Sequence, residues 1–163
     1  MTEVSEPNLA PLPDGSVILT GRNSREERRR LVTRSPDGAD GWSAPVFASE
    51  LREPGCMAGI IPHPGDTGRS LLLFSHPDTT DRDHAARRDV TIHLSEDGGR
   101  TWPVAKRLQD GPSAYSDLAV LPDGTVLCFY ENGTDQPKRQ RKRDWAYANL
   151  TLARFNLEWL RAR

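Results

Sequence analysis

An all-β fold is predicted by three observations. Helical periodicity is almost absent from the 163 residues. Short β-rich runs recur instead, separated by turn clusters. Two pairs of segments also repeat each other. Ser95-Glu96-Asp97-Gly98-Gly99-Arg100-Thr101-Trp102 reads S-x-D-G-G-x-T-W, and Ser35-Pro36-Asp37-Gly38-Ala39-Asp40-Gly41-Trp42 keeps Ser, Asp, Gly and Trp at the same offsets in a degenerate copy. Leu12-Pro13-Asp14-Gly15-Ser16-Val17-Ile18 is echoed by Leu121-Pro122-Asp123-Gly124-Thr125-Val126-Leu127. Repeats of strands and turns at roughly 40–60 residues suggest the blades of a β-propeller.

The turns have a mechanism. Ser95 and Asp97 can hydrogen-bond the turn's own backbone. Gly98 and Gly99 permit positive φ at little steric cost. Thr101 and Trp102 suit the outgoing strand, where Trp102 can anchor the turn on the sheet below. The strand runs, in order, are Ser16–Thr20, Arg30–Thr33, Gly59–Ile61, Ser70–Phe74, Asp89–Leu94, Ser116–Val120, Thr125–Tyr130 and Leu150–Phe155. With the gaps filled these give about ten strands, or about two and a half to three blades at four strands each. A closed propeller has more blades, so an incomplete propeller is expected, with open edges that favour self-association or pairing with another half-propeller.

Composition bounds the function. Charged residues make up 28% and hydrophobic residues 36%, with a net charge of −1, which argues against a general nucleic-acid binder. No apolar run reaches membrane-span length. The N-terminal Met1–Pro7 has no basic n-region or apolar h-region, so no signal peptide is expected and localisation stays open. Cys56 and Cys128 do not make a disulfide framework and read as small buried hydrophobes. No His and Cys cluster has metal-ligand spacing, so neither metal nor cofactor is expected. Arg25-Glu26-Glu27-Arg28-Arg29-Arg30 reads as a solvated hairpin tip, and Lys138-Arg139-Gln140-Arg141-Lys142-Arg143 as a long loop between strands.

One region carries chemistry. Gly111-Pro112-Ser113-Ala114-Tyr115-Ser116-Asp117-Leu118, followed by Leu121-Pro122-Asp123-Gly124 and Tyr130-Glu131, closely resembles the nucleophile region of the exo-α-sialidases (neuraminidases). Phe155-Asn156-Leu157-Glu158-Trp159-Leu160 resembles that family's last strand, and the S-x-D-G-G-x-T-W turn its Asp box. The resemblance runs from about Glu6 to Leu160. It implies a propeller of the sialidase type, six-bladed when complete, that removes terminal sialic acid from glycoconjugates with retention, through a tyrosine nucleophile. A phenol avoids the repulsion that a carboxylate nucleophile would meet from the substrate's carboxylate. Its pKa near 10 then calls for a neighbouring carboxylate as base. Arginines grip the substrate carboxylate through bidentate hydrogen bonds.

The resemblance assigns roles one residue at a time. Tyr115 matches the nucleophile; from the residues alone it would be a core tyrosine at a strand start. Glu6, in Glu6-Pro7-Asn8-Leu9, matches its partner glutamate; alone it is an ordinary surface carboxylate. Arg22, 16 residues after Glu6, matches the second substrate-binding arginine, and alone is one more exposed arginine. The third arginine falls in Ala86-Arg87-Arg88-Asp89-Val90-Thr91. Counting back from Ser95 favours Arg87, with Arg88 as the alternative, since adjacent strand residues face opposite ways. Leu73-Phe74-Ser75-His76-Pro77 matches an L-x-F-S-N-P run with His76 in place of Asn. In Pro54-Gly55-Cys56-Met57-Ala58-Gly59, Met57 stands where the family has a glutamine that contacts substrate. The family's F-R-I-P arginine and its acid/base aspartate have no counterpart here. The chain is therefore expected to resemble the C-terminal half of a sialidase and, alone, to be weak or inactive. Two other readings remain: a non-catalytic fragment that binds sialic acid or serves assembly, and an Asp-box propeller unrelated to sialic acid.

Overall fold

The computed structural model describes residues 3–65, 69–81, 87–134 and 146–162. It is built almost wholly of antiparallel strands. β1 (Val4–Pro11), β2 (Val17–Asn23), β3 (Arg29–Ser35) and β4 (Val46–Arg52) form one four-stranded meander. β5 (Gly59–His63), β6 (Leu71–Pro77), β7 (Val90–Ser95) and β8 (Val104–Arg107) form a second. β9 (Ser113–Val120), β10 (Val126–Asn132) and β11 (Asn149–Phe155) form a third sheet, ordered β11-β10-β9. Three sheets in sequence, each a meander, are the incomplete propeller expected from the repeats.

The first strands of the sheets lie side by side, β1 against β5 and β5 against β9. Apolar side chains fill the gaps between sheets. Ile18, Val32, Leu51, Leu72, Phe74 and Trp102 pack between the first and second. Leu73, Ile92, Leu94, Leu118, Val126 and Tyr130 pack between the second and third. β6 and β7 are buried along their whole length, as a sheet covered on both faces requires.

Three strands escaped the sequence reading. β1 is polar and contains Pro7, β4 is largely exposed, and β8 is only four residues long. Each is recruited by its neighbour's unpaired backbone rather than by its own pattern. Two expectations are corrected. The last segment is not one strand to Leu160: β11 ends at Phe155, and Asn156 caps a short helix, α1 (Leu157–Arg161), by accepting the Trp159 N–H. Nor is Arg25–Arg30 solvated throughout. Arg30 lies in β3, 1% exposed, and pairs with the fully buried Glu53 at 2.8 Å. The basic run 138–143 lies outside the described residues. Among these, no helix is long and apolar enough to cross a membrane.

The Asp boxes behave as the turn chemistry predicts. Ser95 Oγ accepts from the Gly99 N–H at 2.7 Å. Asp97 Oδ1 accepts from the N–H groups of Arg100 and Thr101, both at 2.9 Å, and Oδ2 from the Thr101 hydroxyl at 2.7 Å. Gly98 and Gly99 have φ of 71° and 81°. Trp102 is 2% exposed and packs on Phe74, whereas Trp42 of the degenerate copy is 38% exposed. Trp102 has the first sheet to pack against; Trp42 has no such sheet among the described residues. Burial alone would raise the Asp97 carboxyl, but the hydrogen bonds from Thr101, Ser95 and Arg100 outweigh it and bring it from 3.8 down to about 2. Because the folded value is depressed, the stability Asp97 supplies is present above the ordinary aspartate range and is lost as pH falls from about 4 towards 2. Asp97→Ala is expected to cost about 1–3 kcal/mol in urea unfolding at pH 7, and less at pH 2.

Cys56 and Cys128 are free and buried, and burial pushes both thiols up to about 12. They are the inert small hydrophobes the sequence suggested. Apolar side chains are not all covered. Phe129 sits opposite Leu152 across β10 and β11, with Leu150 two residues along, and all three are exposed. Leu9, Val46 and Phe47 are exposed on the first sheet.

Candidate active site

The site is assembled at one end of the sheets from Glu6, Arg22, Arg87 and Tyr115. Glu6 and Arg22 face each other because β1 pairs with β2, Ser5 opposite Arg22. The register slips between Ser5 and Asn8, and Glu6 takes φ 44°. A bulge with a non-glycine residue in left-handed backbone is a strained way to aim a side chain, and such features concentrate next to functional sites. The Asn8 side chain fastens the bulge by donating to the Ala58 carbonyl.

Tyr115 is held from the other side. β10 slips against β9 between Tyr130 and Asn132, which frees Glu131 Oε2 to accept the Tyr115 backbone N–H at 3.0 Å. The phenol then donates to Glu6 Oε1 at 2.6 Å. The same oxygen accepts from Arg22 Nη1 at 2.8 Å. Glu6 Oε2 is buried without a hydrogen-bond partner.

The pair of neighbouring arginines is divided by the backbone. The Arg87 carbonyl accepts the Ser113 N–H at 3.1 Å, and the Asp89 N–H donates to the Gly111 carbonyl at 2.9 Å. These bonds stitch the segment before β7 to the turn before β9. Arg87 points inward: it is 3% exposed, with its guanidinium 5.6 Å from the centre of the Tyr115 ring. It donates to the Gly55 carbonyl and, at 3.0 Å, to the Tyr147 hydroxyl. Arg88 turns away towards Asp89, at 3.5 Å. The four residues Glu6, Arg22, Arg87 and Tyr115 are thus brought together and Arg88 is not.

Electrostatics set the protonation states. Burial alone would raise the Glu6 carboxyl, but the hydrogen bonds from Tyr115 and Arg22 and the charges of Arg22 and Arg87 hold it below its usual range. The hydrogen bond to Glu6 raises the Tyr115 phenol above its usual value, and burial adds to this. At neutral pH the pair is an ionised carboxylate accepting from a protonated phenol. In that arrangement the carboxylate is placed to accept the phenol's proton.

Three groups here were not assigned a role from the sequence. The Gly55 carbonyl and Tyr147 hold Arg87, and Glu131 holds the Tyr115 backbone. Glu131 stood in a segment already matched, but nothing in the residues around Tyr147 pointed to a site. Its position depends on the path of the chain into β11.

The profile of the BNR repeat-like domain matches residues 1–128. The chain belongs to the BNR repeat-like family. Within it, this BNR-repeat chain is 34% identical over 162 residues to a sialidase of Micromonospora viridifaciens, an alignment covering 96% of the chain and 22% of that protein. It is 32% identical over 128 residues to human sialidase-4, covering 74% of the chain and 25% of the relative. Among solved structures, the Hadza microbial sialidase Hz136 superposes with a TM-score of 0.76 at 34% identity, over 97% of this chain and 28% of that one. The chain thus spans about a quarter of the length of these sialidases.

Proposed function

We propose that this chain carries the nucleophile and carboxylate-binding part of a sialidase-type active site, acting on terminal sialic acids of glycoconjugates. The observation that carries the reading is the 2.6 Å hydrogen bond from the Tyr115 phenol to Glu6, flanked by Arg22 and Arg87. In the proposed reaction the Arg22 and Arg87 guanidiniums take the sugar carboxylate. The phenol proton passes to Glu6 as the phenolic oxygen bonds to the anomeric carbon and the bond to the aglycone breaks. Water later releases the sugar with its configuration retained. The aglycone oxygen needs a proton as it leaves. Without the family's acid/base aspartate that help is missing, which lowers the rate by roughly 10²–10⁴-fold.

Slow turnover of a fluorogenic sialoside is therefore expected, abolished by Tyr115→Phe. Turnover indifferent to that substitution would overturn the mechanism. A sialic-acid analogue titrated by calorimetry should bind, and Arg22→Ala should weaken binding by at least tenfold, the scale of one lost charge-assisted hydrogen bond of about 1.5–3 kcal/mol. Equal binding by the variant would remove Arg22 from the site.

A second reading concerns assembly and rests on the exposed Phe129, Leu150 and Leu152. Strands apolar on both faces belong to sheets covered on both sides. Association with a second half-propeller would cover this face. Light scattering should give a mass above that of the monomer, and a stable monomer at high concentration would exclude it.

A further inference from the structure

His76 and His93 lie 17 residues apart in sequence, yet the pairing of β6 with β7 makes them neighbours. His76 sits opposite Thr91, and Phe74 opposite His93, so both imidazoles stand on one face of the second sheet. Their Nε2 atoms are 3.1 Å apart. Asp78, just past the end of β6, brings its Oδ1 to 4.0 Å from His76 Nε2. One ligand atom from each of the three residues lies within 4.8 Å of the other two. This cluster is separate from Glu6, Arg22 and Tyr115, and the proposed sialidase chemistry makes no use of it.

Hydrogen bonding alone leaves the cluster incomplete. One proton can bridge the two Nε2 atoms. Asp78 Oδ1 is then buried with no hydrogen-bond partner, although a carboxylate oxygen in that position calls for one. The outer contacts of His76 and Asp78, by contrast, are those of ligands being oriented, while His93 Nδ1 is buried without a partner. The His76 ring also hydrogen-bonds the Arg52 backbone. Arg52 takes the other Asp78 oxygen, Oδ2, at 3.3 Å. Carbonyl and guanidinium partners of this kind orient ligands in metal sites. Neutral imidazole and carboxylate are ligands of borderline metals.

We propose that His76 Nε2, His93 Nε2 and Asp78 Oδ1 bind one divalent transition-metal ion, with zinc the best match to the donor set. Zinc takes nitrogen and oxygen ligands at about 2.0–2.2 Å, and a fourth position would go to water. The two Nε2 atoms, 3.1 Å apart, are already spaced for neighbouring ligands of one ion, and the Asp78 carboxylate, 4.0 Å from His76 Nε2, has to swing closer to complete the set. Because both histidines are buried, the ion acts as a tie between strands. It would join the end of β6 to the middle of β7.

The test uses the full chain, freed of metal with a chelator. Zinc titrated by calorimetry should bind at one ion per chain and raise the melting temperature. Cobalt(II), as a spectroscopic stand-in, should give the intense visible bands of a four-coordinate site. Asp78→Asn keeps the side-chain shape and should weaken zinc binding by at least the 10–100-fold typical of losing even an outer-sphere partner. The circular dichroism of metal-free Asp78→Asn should match that of the parent chain. Absence of the cobalt bands in the parent chain would overturn the proposal without recourse to any variant. So would stoichiometric zinc binding unchanged in a folded Asp78→Asn.

Discussion

Replacing Glu53 with alanine is expected to destabilise the chain by about 3–5 kcal/mol, because it leaves a buried charge without its partner. Arg30 and Glu53 are 1% and 0% exposed, and they meet at 2.8 Å. Arg30 Nε and Nη2 have no hydrogen-bond partner, so its charge is compensated chiefly by Glu53, helped by the Cys56 carbonyl at 3.0 Å and the Phe74 ring. Glu53 has a second task. Its Oε1 accepts the Gly55 N–H at 2.8 Å and the Cys56 N–H at 3.3 Å. That turn presents the Gly55 carbonyl to Arg87. The loss should thus reach the candidate site, with weaker binding of a sialic-acid analogue even where the variant still folds. Urea unfolding should show a lower midpoint with an unchanged slope. Replacing both partners with apolar residues, as in Arg30→Met with Glu53→Leu, should recover part of the loss, since no unpaired charge then remains. Recovery stays partial because the Gly55 and Cys56 N–H groups lose their acceptor. If Glu53→Ala alone unfolds with the parent's midpoint, the pair does not hold the fold in this way.

Glu6→Gln should lower sialoside turnover by roughly 10²–10⁴-fold, the range for loss of a positioned proton acceptor. The substitution keeps the shape of the side chain but not its charge. The phenol of Tyr115 would still find an acceptor at 2.6 Å, and its proton would have nowhere to go. A second readout is independent of turnover. Glu6 is the largest cause of the raised Tyr115 phenol, so in Glu6→Gln that phenol should titrate at lower pH, closer to an ordinary tyrosine. Tyrosine labelled at the ring carbon bearing oxygen would report this by NMR, with Tyr130 as internal reference. In the parent chain the direction of the Glu6 shift also predicts an acid limb. The base is lost as pH falls through the Glu6 value, which lies below the ordinary glutamate range, so activity should persist to lower pH than a free carboxylate would allow. A Tyr115 titration unmoved by Glu6→Gln would separate the two residues and with them the proposed proton transfer.

Much of the fold was legible because it is written in local chemistry. Turns such as Ser95–Trp102 close through bonds within eight residues, from side chains that can do little else, so their sequence is nearly their structure. The buried strands β6 and β7 carry their own apolar signal. β1, β4 and β8 do not, since an edge or polar strand is made by the strand beside it. The candidate site was legible only through resemblance. Neither the polar run around Glu6 nor the start of β9 marks itself as reactive.

By itself, the sequence determined an all-β repeat fold, its turns, its inert cysteines and the segments from which a site could be drawn. Only the tertiary structure decided how those segments meet. It turned Arg87 inward and left Arg88 exposed, because backbone bonds to Gly111 and Ser113 set which of two adjacent side chains faces inward. It buried Arg30 against Glu53, against the expectation for a charged run, because β3 carries that residue beneath the turn at Gly55. It brought Glu6 to Tyr115 across 109 residues of chain. Local sequence fixes which bonds a residue can make within its own turn. Contacts between sheets depend on register and bulge, where a slip of one residue reverses every side chain, and no single segment holds that information.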